Sequence, residues 1–281
     1  MESGFVVLHY LAYDMTVRCT EALLGLSGIK HIVIVDNASP NGSGERLAEH
    51  FAGNPSVTVL LNERNEGFAR GNNVGYTYLR EHFSCAFITV LNNDVLIRDT
   101  AFPDKIATIY AATPFAVLGP DILNPDTGEH QNPGHLKGFS QQEVEERLAR
   151  YRKNLRHFRW NRLKWRIKQV FFPVPTPAKE AVTVPMENVV LHGACYVFSR
   201  DFIARRPLCF HPGTFLYFEE EILHYECLRD GLKLRFDPSL QVLHLEDAAT
   251  RAAFRRSVDR EQMKLKESVH SMEVLLHLMK D

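Results

Sequence analysis

The sequence is short of the features that would place it quickly. Its five cysteines, Cys19, Cys85, Cys195, Cys209 and Cys227, are scattered and form no Cys-x-x-Cys pair. An odd, dispersed set argues against a disulfide scaffold or a zinc knuckle and fits buried thiols in a reducing compartment. No window approaches roughly 20 apolar residues, so nothing is predicted to span a bilayer. The start, MESGFVVLHYL, lacks the basic residues and long apolar stretch of a signal peptide. These absences together predict a cytoplasmic protein. Net charge is lacking too: 33 Lys and Arg against 34 Asp and Glu give −1, so the chain as a whole has no electrostatic pull towards nucleic acid. Neither a G-x-G-x-x-G fingerprint nor a P-loop occurs, and there is no internal repeat or low-complexity tract.

What is present is length and alternation. The 281 residues can bury a substantial core without staples. Strands are predicted at Phe5–Leu8, Ile32–Val35, Val57–Leu61 and within Ala86–Leu91. Helices are predicted at Tyr13–Leu26, Ser43–Phe51, Gly71–His82 and Asp99–Ala112, the last capped by Asp99. Near-continuous apolar strands between helices indicate a doubly wound α/β domain, its mostly parallel sheet covered on both faces. Ligands of such sheets bind at the carboxyl ends of the strands. Three of those ends here are polar: Asp36-Asn37-Ala38-Ser39, Asn62 to Asn65, and Asn92-Asn93-Asp94. One polar exit is routine turn chemistry; three on one edge suggest a site.

Each exit has its own chemistry. Asp36 can accept from a nucleobase N–H or from ribose hydroxyls. Gly67, Gly71 and Gly75, spaced by four, would let a diphosphate approach the start of a helix. Asp94 offers one carboxylate to Mg²⁺ or Mn²⁺, which commonly hold a diphosphate. Further along, Glu219-Glu220-Glu221 is flanked by Phe215, Leu216, Tyr217, Phe218, Ile222 and Leu223. Apolar surroundings raise a carboxyl's pKa towards the range of a general base. His244 ends a strand of the second half, where a histidine is a packed core residue or, if Asp94 lies close, a metal ligand.

Between Arg147 and Lys168 the chain carries ten Lys or Arg and no Asp or Glu, with Tyr151, Phe158, Trp160 and Trp165 among them. This basic, aromatic stretch reads either as a helix lying on an anionic membrane surface or as a solvated helix packed through Leu148, Leu155 and Leu163. RNA binding is disfavoured, since no nucleic-acid fold accompanies it. A proline-rich connector, Pro173 to Pro185, follows. Strand patterns come at VVLHGACYVFS and Leu232–Phe236, with a helix at Phe218–Asp230 between them. The tail from Arg251 to Lys280 is helical, and its apolar stripe suits either the core or a homodimer.

The motifs VDNAS, NEGFARGNNVG, LNNDV, LHGACYVFSRD and FLYFEEEILHYECLRDG, in that order, resemble family 2 glycosyltransferases of the GT-A fold. The likeness is closest to the rhamnosyltransferase-like and cell-surface polysaccharide branch, and it covers Phe5 to Thr250. It implies a catalytic domain over residues 1–250, with a nucleotide-binding half over about 1–120 and an acceptor half over about 185–250. A basic helical insertion would occupy about 141–172 and a helical tail 251–281.

The resemblance implies inverting transfer from a nucleotide-diphosphate sugar, dTDP-rhamnose or a UDP-hexose, to a hydroxyl of a glycan or lipid-linked acceptor. It puts Asp36, Asn37, Ser39, Asn65, Gly67, Arg70, Asn73 and Asn93 at the nucleotide. It gives Asp94 and His244 to Mn²⁺ or Mg²⁺, with Asn92 standing where the family's motif has its first Asp. Glu219-Glu220 matches a Glu-Asp pair whose second member is the base, so Glu220 takes that role with Glu219 as the alternative. His192 and Gly193 fall on the acceptor side. A lipid-linked acceptor would suit membrane contact through 147–172, at the inner face of the cell membrane. Two rivals remain. One is an inactive nucleotide-sugar-binding or scaffold protein of the same fold. The other is a sugar-1-phosphate nucleotidyltransferase, which the lack of glycine in HYLAYDMTVR disfavours.

Overall fold

Four parallel strands carry the first half: β1 (Ser3–His9), β2 (Ile29–Asp36), β3 (Val57–Leu61) and β4 (Phe87–Asn92). They belong to a computed structural model that describes residues 2–158, 181–246 and 258–280, with 258–260 described by backbone alone. Successive residues of these strands point to opposite faces, and both faces are covered. Phe5, Val7, Ile32 and Ile34 pack under α1 (Tyr13–Leu24), α2 (Ser43–Phe51) and α4 (Phe102–Ala112), through Leu23, Leu47 and Phe102. Val6, Val33, Val35 and Ile88 pack on α3 (Gly67–His82) through Ala69, Tyr76 and Leu79. Burial on both sides is why these strands lack polar alternation, at about 1.5–3 kcal/mol for each large side chain removed from water.

The second half adds β5 (Val95–Leu96), β6 (Val117–Leu123), β7 (Met186–Glu187), β8 (Cys195–Ser199) and β9 (Leu234–His244). Its helices are α5 (Gln141–Arg156), α6 (Arg200–Arg205), α7 (Glu219–Arg229) and α8 (Val258–Leu278). The sheet order is β3-β2-β1-β4-β8-β6-β9-β5, with β7 paired to β9. β8 runs antiparallel to both β4 and β6, whereas β9 is parallel to β6 and antiparallel to β5. The sheet is therefore mixed but mostly parallel, flanked by helices in the GT-A manner.

These reversals build the site. Because β8 is antiparallel to β4, the loop entering it lies beside the end of β4, and Asn92 donates its N–H to the Ala194 carbonyl at 3.0 Å. The β5–β9 ladder pairs Val95 with His244, and Leu245 donates to the Asp94 carbonyl at 2.9 Å.

Some boundaries differ from the sequence-based expectations. α3 begins at Gly67 and not Gly71. Gly71 and Gly75 face Leu8 and Val6 of β1, so they allow helix-to-sheet contact and not ligand approach. Asp99 accepts from the Ala101 N–H in a turn ahead of α4, which starts at Phe102. β9 continues past Phe236, because a register shift opposite Pro120 and Asp121 lets the chain carry Pro238 without a ladder N–H.

Of the basic segment, residues as far as Phe158 are described. They form α5, started by a capping box between Ser140 and Glu143. Trp160, Trp165 and the remainder of 147–172 lie outside the described residues. α5 packs on α8 through Val144, Leu148, Met272 and Leu275, together with Ile222 of α7. Of the tail's apolar stripe, Met272 and Leu275 are thus buried within the chain, with Val269, Leu276 and Met279 partly buried against the same cluster. No described helix is long and apolar enough to cross a membrane.

Candidate active site

The expected residues gather along the carboxyl edge of the sheet. Several strand exits there hold a non-glycine residue at positive φ: Leu11 at 67°, Ala38 at 58° and Glu246 at 41°. Such conformations cost about 1–3 kcal/mol each and persist where the surroundings impose them.

Asp36 ends β2 buried, and both its oxygens accept from the Ser39 N–H at 3.1 and 3.3 Å. His9, fully buried at the end of β1, lies 3.7 Å from Asp36 and contacts Thr16 Oγ1 and Ser43 Oγ at 2.7 Å each. Burial pushes its imidazole down to about 4 against the pull of Asp36, so it is neutral at pH 7. Asn93 donates to the same Thr16 hydroxyl at 2.9 Å. A buried polar chain thereby ties the Asp36 exit to the Asp94 exit.

The second loop is fastened by asparagines. Asn37 donates to Asn65 Oδ1 and the Gly67 carbonyl, and accepts from Asn62 and the Glu66 N–H, which uses its full capacity. Gly67 sits at φ 77°, and a Cβ there would collide with the Phe215 carbonyl, which accepts from the Phe68 N–H at 2.7 Å. Asn73 accepts from Cys209 Sγ and the Phe210 N–H and donates to the Phe210 carbonyl. Arg70 donates to the Pro212 carbonyl at 2.7 Å. These two hold the segment ahead of α7 against α3.

Asp94 and His244 meet. Asp94 Oδ1 is buried with no hydrogen bond, and His244 Nε2 stands 3.3 Å from it. Gln131 settles the imidazole: its Nε2 donates to Glu246 at 2.7 Å, so its Oε1 accepts from His244 Nδ1 at 2.7 Å. In the neutral ring, Nε2 then carries a lone pair towards Asp94. Two acceptors facing one another fit a cation. One carboxylate oxygen with one imidazole nitrogen suits Mn²⁺, and Mg²⁺ less well, with phosphate oxygens and water completing the shell. Among the described residues no cluster of three or more His, Cys, Asp or Glu is placed for a metal, so a bound diphosphate would have much of the shell to fill.

Beside this pair opens a cavity of about 720 Å³ whose wall includes Asn92, His192, Gly193 and the three glutamates that open α7, Glu219, Glu220 and Glu221. α7 starts from two consecutive left-handed residues, Tyr217 at φ 72° and Phe218 at φ 67°, which turn its first three side chains into the cavity. Glu219 is 5% exposed, and its Oε1 has no partner. Burial first, then Glu220, push its carboxyl up to about 8. Glu221 is pushed up to about 7 by burial and then by Glu220, and His135 Nε2 lies 3.7 Å from it. Burial raises Glu220 also, while hydrogen bonds from its own N–H and from Gly193 favour its charged form. A Cβ at Gly193 would stand 2.5 Å from Glu220 Oε1, so a side chain there would push that carboxylate aside.

Sequence reasoning missed Gln131, Asn132 and His135. Asn132 is buried and accepts from the His192 N–H at 3.1 Å while donating to the Pro120 carbonyl at 2.6 Å. All three lie in the polar stretch between β6 and α5. Its density of amides and histidines, HQNPGH, was the available signal.

A model of glycosyl transferase family 2 matches residues 5–175, more than half of the chain. The Haloferax volcanii protein "Low-salt glycan biosynthesis hexosyltransferase Agl10" is 22% identical over 261 residues, spanning 84% of this chain and 72% of that protein. The mannosyltransferase PcManGT of Pyrobaculum calidifontis, solved with GDP-Man and Mn²⁺, superposes with a TM-score of 0.57 at 12% identity over 99% of this chain and 70% of that one. GalNAc-T7, solved with UDP, GalNAc and Mn²⁺, gives 0.56 at 17% identity over 87% of this chain. The chain spans only 44% of the GalNAc-T7 chain. Those two structures share its fold. Matched along most of its described first half and folded as a GT-A sheet, the chain belongs to glycosyltransferase family 2.

Proposed function

We propose that the protein is an inverting glycosyltransferase that moves a sugar from a nucleotide-diphosphate donor to a hydroxyl of a glycan or lipid-linked acceptor. The observation that carries this reading is the pairing of Asp94 Oδ1 with His244 Nε2 at 3.3 Å beside a cavity walled by Glu219, Glu220 and Glu221. dTDP-rhamnose and UDP-hexoses are the first donors to test. Mn²⁺ accompanies the ligands of both structural relatives, and the donor set here suits it. Bound between Asp94, His244 and the diphosphate, the cation would stabilise the charge that grows on the leaving group.

The residues of the chain do the rest. Asp36 and the Asn37-fastened loop hold the nucleotide. Glu219, protonated at pH 7, removes one charge from the cluster, so that Glu220 can ionise on its two backbone N–H groups. Glu220 takes the proton from the acceptor hydroxyl while that oxygen bonds to the anomeric carbon opposite the departing diphosphate. The leaving group needs no proton, so one working carboxylate suffices and the glycosidase pair is not required.

The test is calorimetric titration of UDP and dTDP into the protein, with and without Mn²⁺. Micromolar, Mn²⁺-dependent binding that disappears in Asp94→Ala supports the reading. No binding of either nucleotide to folded protein would favour the scaffold alternative.

A further inference from the structure

We infer that the cavity beside Asp94 and His244 receives an uncharged, hydroxyl-bearing sugar as the acceptor and rejects sugars that carry a carboxylate or phosphate at that subsite. This rests on the transferase reading above and names the substrate class for it.

Among the described residues, five glutamates line the cavity, Glu129, Glu219, Glu220, Glu221 and Glu246, against one lysine, Lys264 of α8. The Lys264 ammonium is drawn over the Tyr217 ring, 5.1 Å from its centroid. The wall is therefore acidic, and a volume of about 720 Å³ has room for a sugar ring within the usual range of small-molecule sites.

An acidic wall alone would be only a solvated patch. Glu219 marks it as a site. Its side chain is more than nine-tenths buried, it lines the cavity, and its Oε1 has no partner among the described residues. A buried polar atom left unpaired is costly unless a ligand or water completes it.

Hydrogen-bond chemistry then selects the ligand. Around neutral pH the wall mixes protonated carboxyls, which donate, with ionised ones, which only accept. A sugar hydroxyl both donates and accepts, so it satisfies either kind. The carboxylate of a uronate, like an ionised phosphate group, only accepts, and it would bring like charge against the glutamates in a partly water-excluded space, where repulsion is least screened. Charges borne by a larger acceptor, such as a lipid diphosphate, must lie outside this cavity.

The probes are the methyl glycosides of glucose, galactose and mannose, with methyl glucuronide and methyl galacturonide. Each is titrated by NMR into protein loaded with Mn²⁺ and whichever of UDP and dTDP binds. At least one neutral glycoside is expected to bind, with the uronides weaker by at least roughly tenfold. Glu129→Gln and Glu221→Gln should each narrow that gap. A uronide binding as well as the neutral sugars, or no neutral glycoside binding to nucleotide-loaded protein, overturns the inference. So does a gap unchanged in both variants. Failure of both nucleotides to bind would instead overturn the transferase reading, and this inference with it.

Discussion

Glu220 and its two glutamate neighbours occupy one turn of helix, yet the surroundings give each a different task. Glu220→Gln keeps the shape and removes the basicity, so transfer should fall by about 10²–10⁴-fold while nucleotide affinity stays unchanged, as parallel turnover and calorimetric measurements would reveal. Gly193→Ala acts through the same carboxylate, since its Cβ would stand 2.5 Å from Glu220 Oε1. A displacement of that kind is expected to lower kcat by about 100-fold, again with donor binding retained. Glu219 makes a prediction about stability. Its folded pKa is raised from 4.5 to about 8, so the folded chain holds a proton that the unfolded chain releases. The stability this contributes is complete below about pH 4.5 and is lost as pH rises towards 8, at up to about 1.4 kcal/mol per pH unit. Glu219→Gln should therefore gain on the wild type between pH 5 and pH 8 in urea unfolding. A difference that stays constant across that range would show that Glu219 does not carry the proton.

At the scale of elements, α7 is held from behind. Ile222 lies in one cluster with Val144 and Leu148 of α5 and Met272 and Leu275 of α8, and the ion pairs Arg152–Glu273 at 2.8 Å and Lys280–Glu145 at 3.5 Å flank it. Those pairs are exposed and add little; the cluster supplies the hold. Leu275→Ala should cost about 2–5 kcal/mol, visible as a lower urea midpoint, and should disturb the cavity wall that α8 shares through Lys264 and Ser268. Elements were legible where burial dictated composition. The runs FVVL and HIVIV could be nothing but strands covered on both faces. The direction of β8 was not legible, because CYVFS would read the same parallel or antiparallel, and β9 looked shorter than it is because Pro238 reads as a strand breaker. The turn into α7 was equally hidden, since Tyr217 and Phe218 are residues that avoid the left-handed conformation they adopt.

Across the whole molecule, the site exists only because the two halves of the sheet meet: Asp94 follows β4, His244 ends β9, Gly193 enters β8 and Glu220 opens α7. Their order along the chain was readable as motifs. Their convergence was not, because it depends on two strand reversals that leave no mark on composition. The residue that orients His244, Gln131, sits in a loop with no periodicity at all. By donating to Glu246 and accepting from His244 Nδ1, it fixes which imidazole nitrogen faces Asp94. Gln131→Leu removes that partner at similar size and leaves both candidate ligands in place. If His244 works as a ligand, the Mn²⁺ concentration needed for half-maximal nucleotide binding should rise by about 10–100-fold, whereas nucleotide affinity without metal should not change. If it does not, the substitution should leave the Mn²⁺ requirement where it is in the wild type, and Asp94 would have to hold the cation without the imidazole. The comparison of Gln131→Leu with Asp94→Ala separates the two cases, because only a two-ligand site is weakened by a change that touches neither ligand.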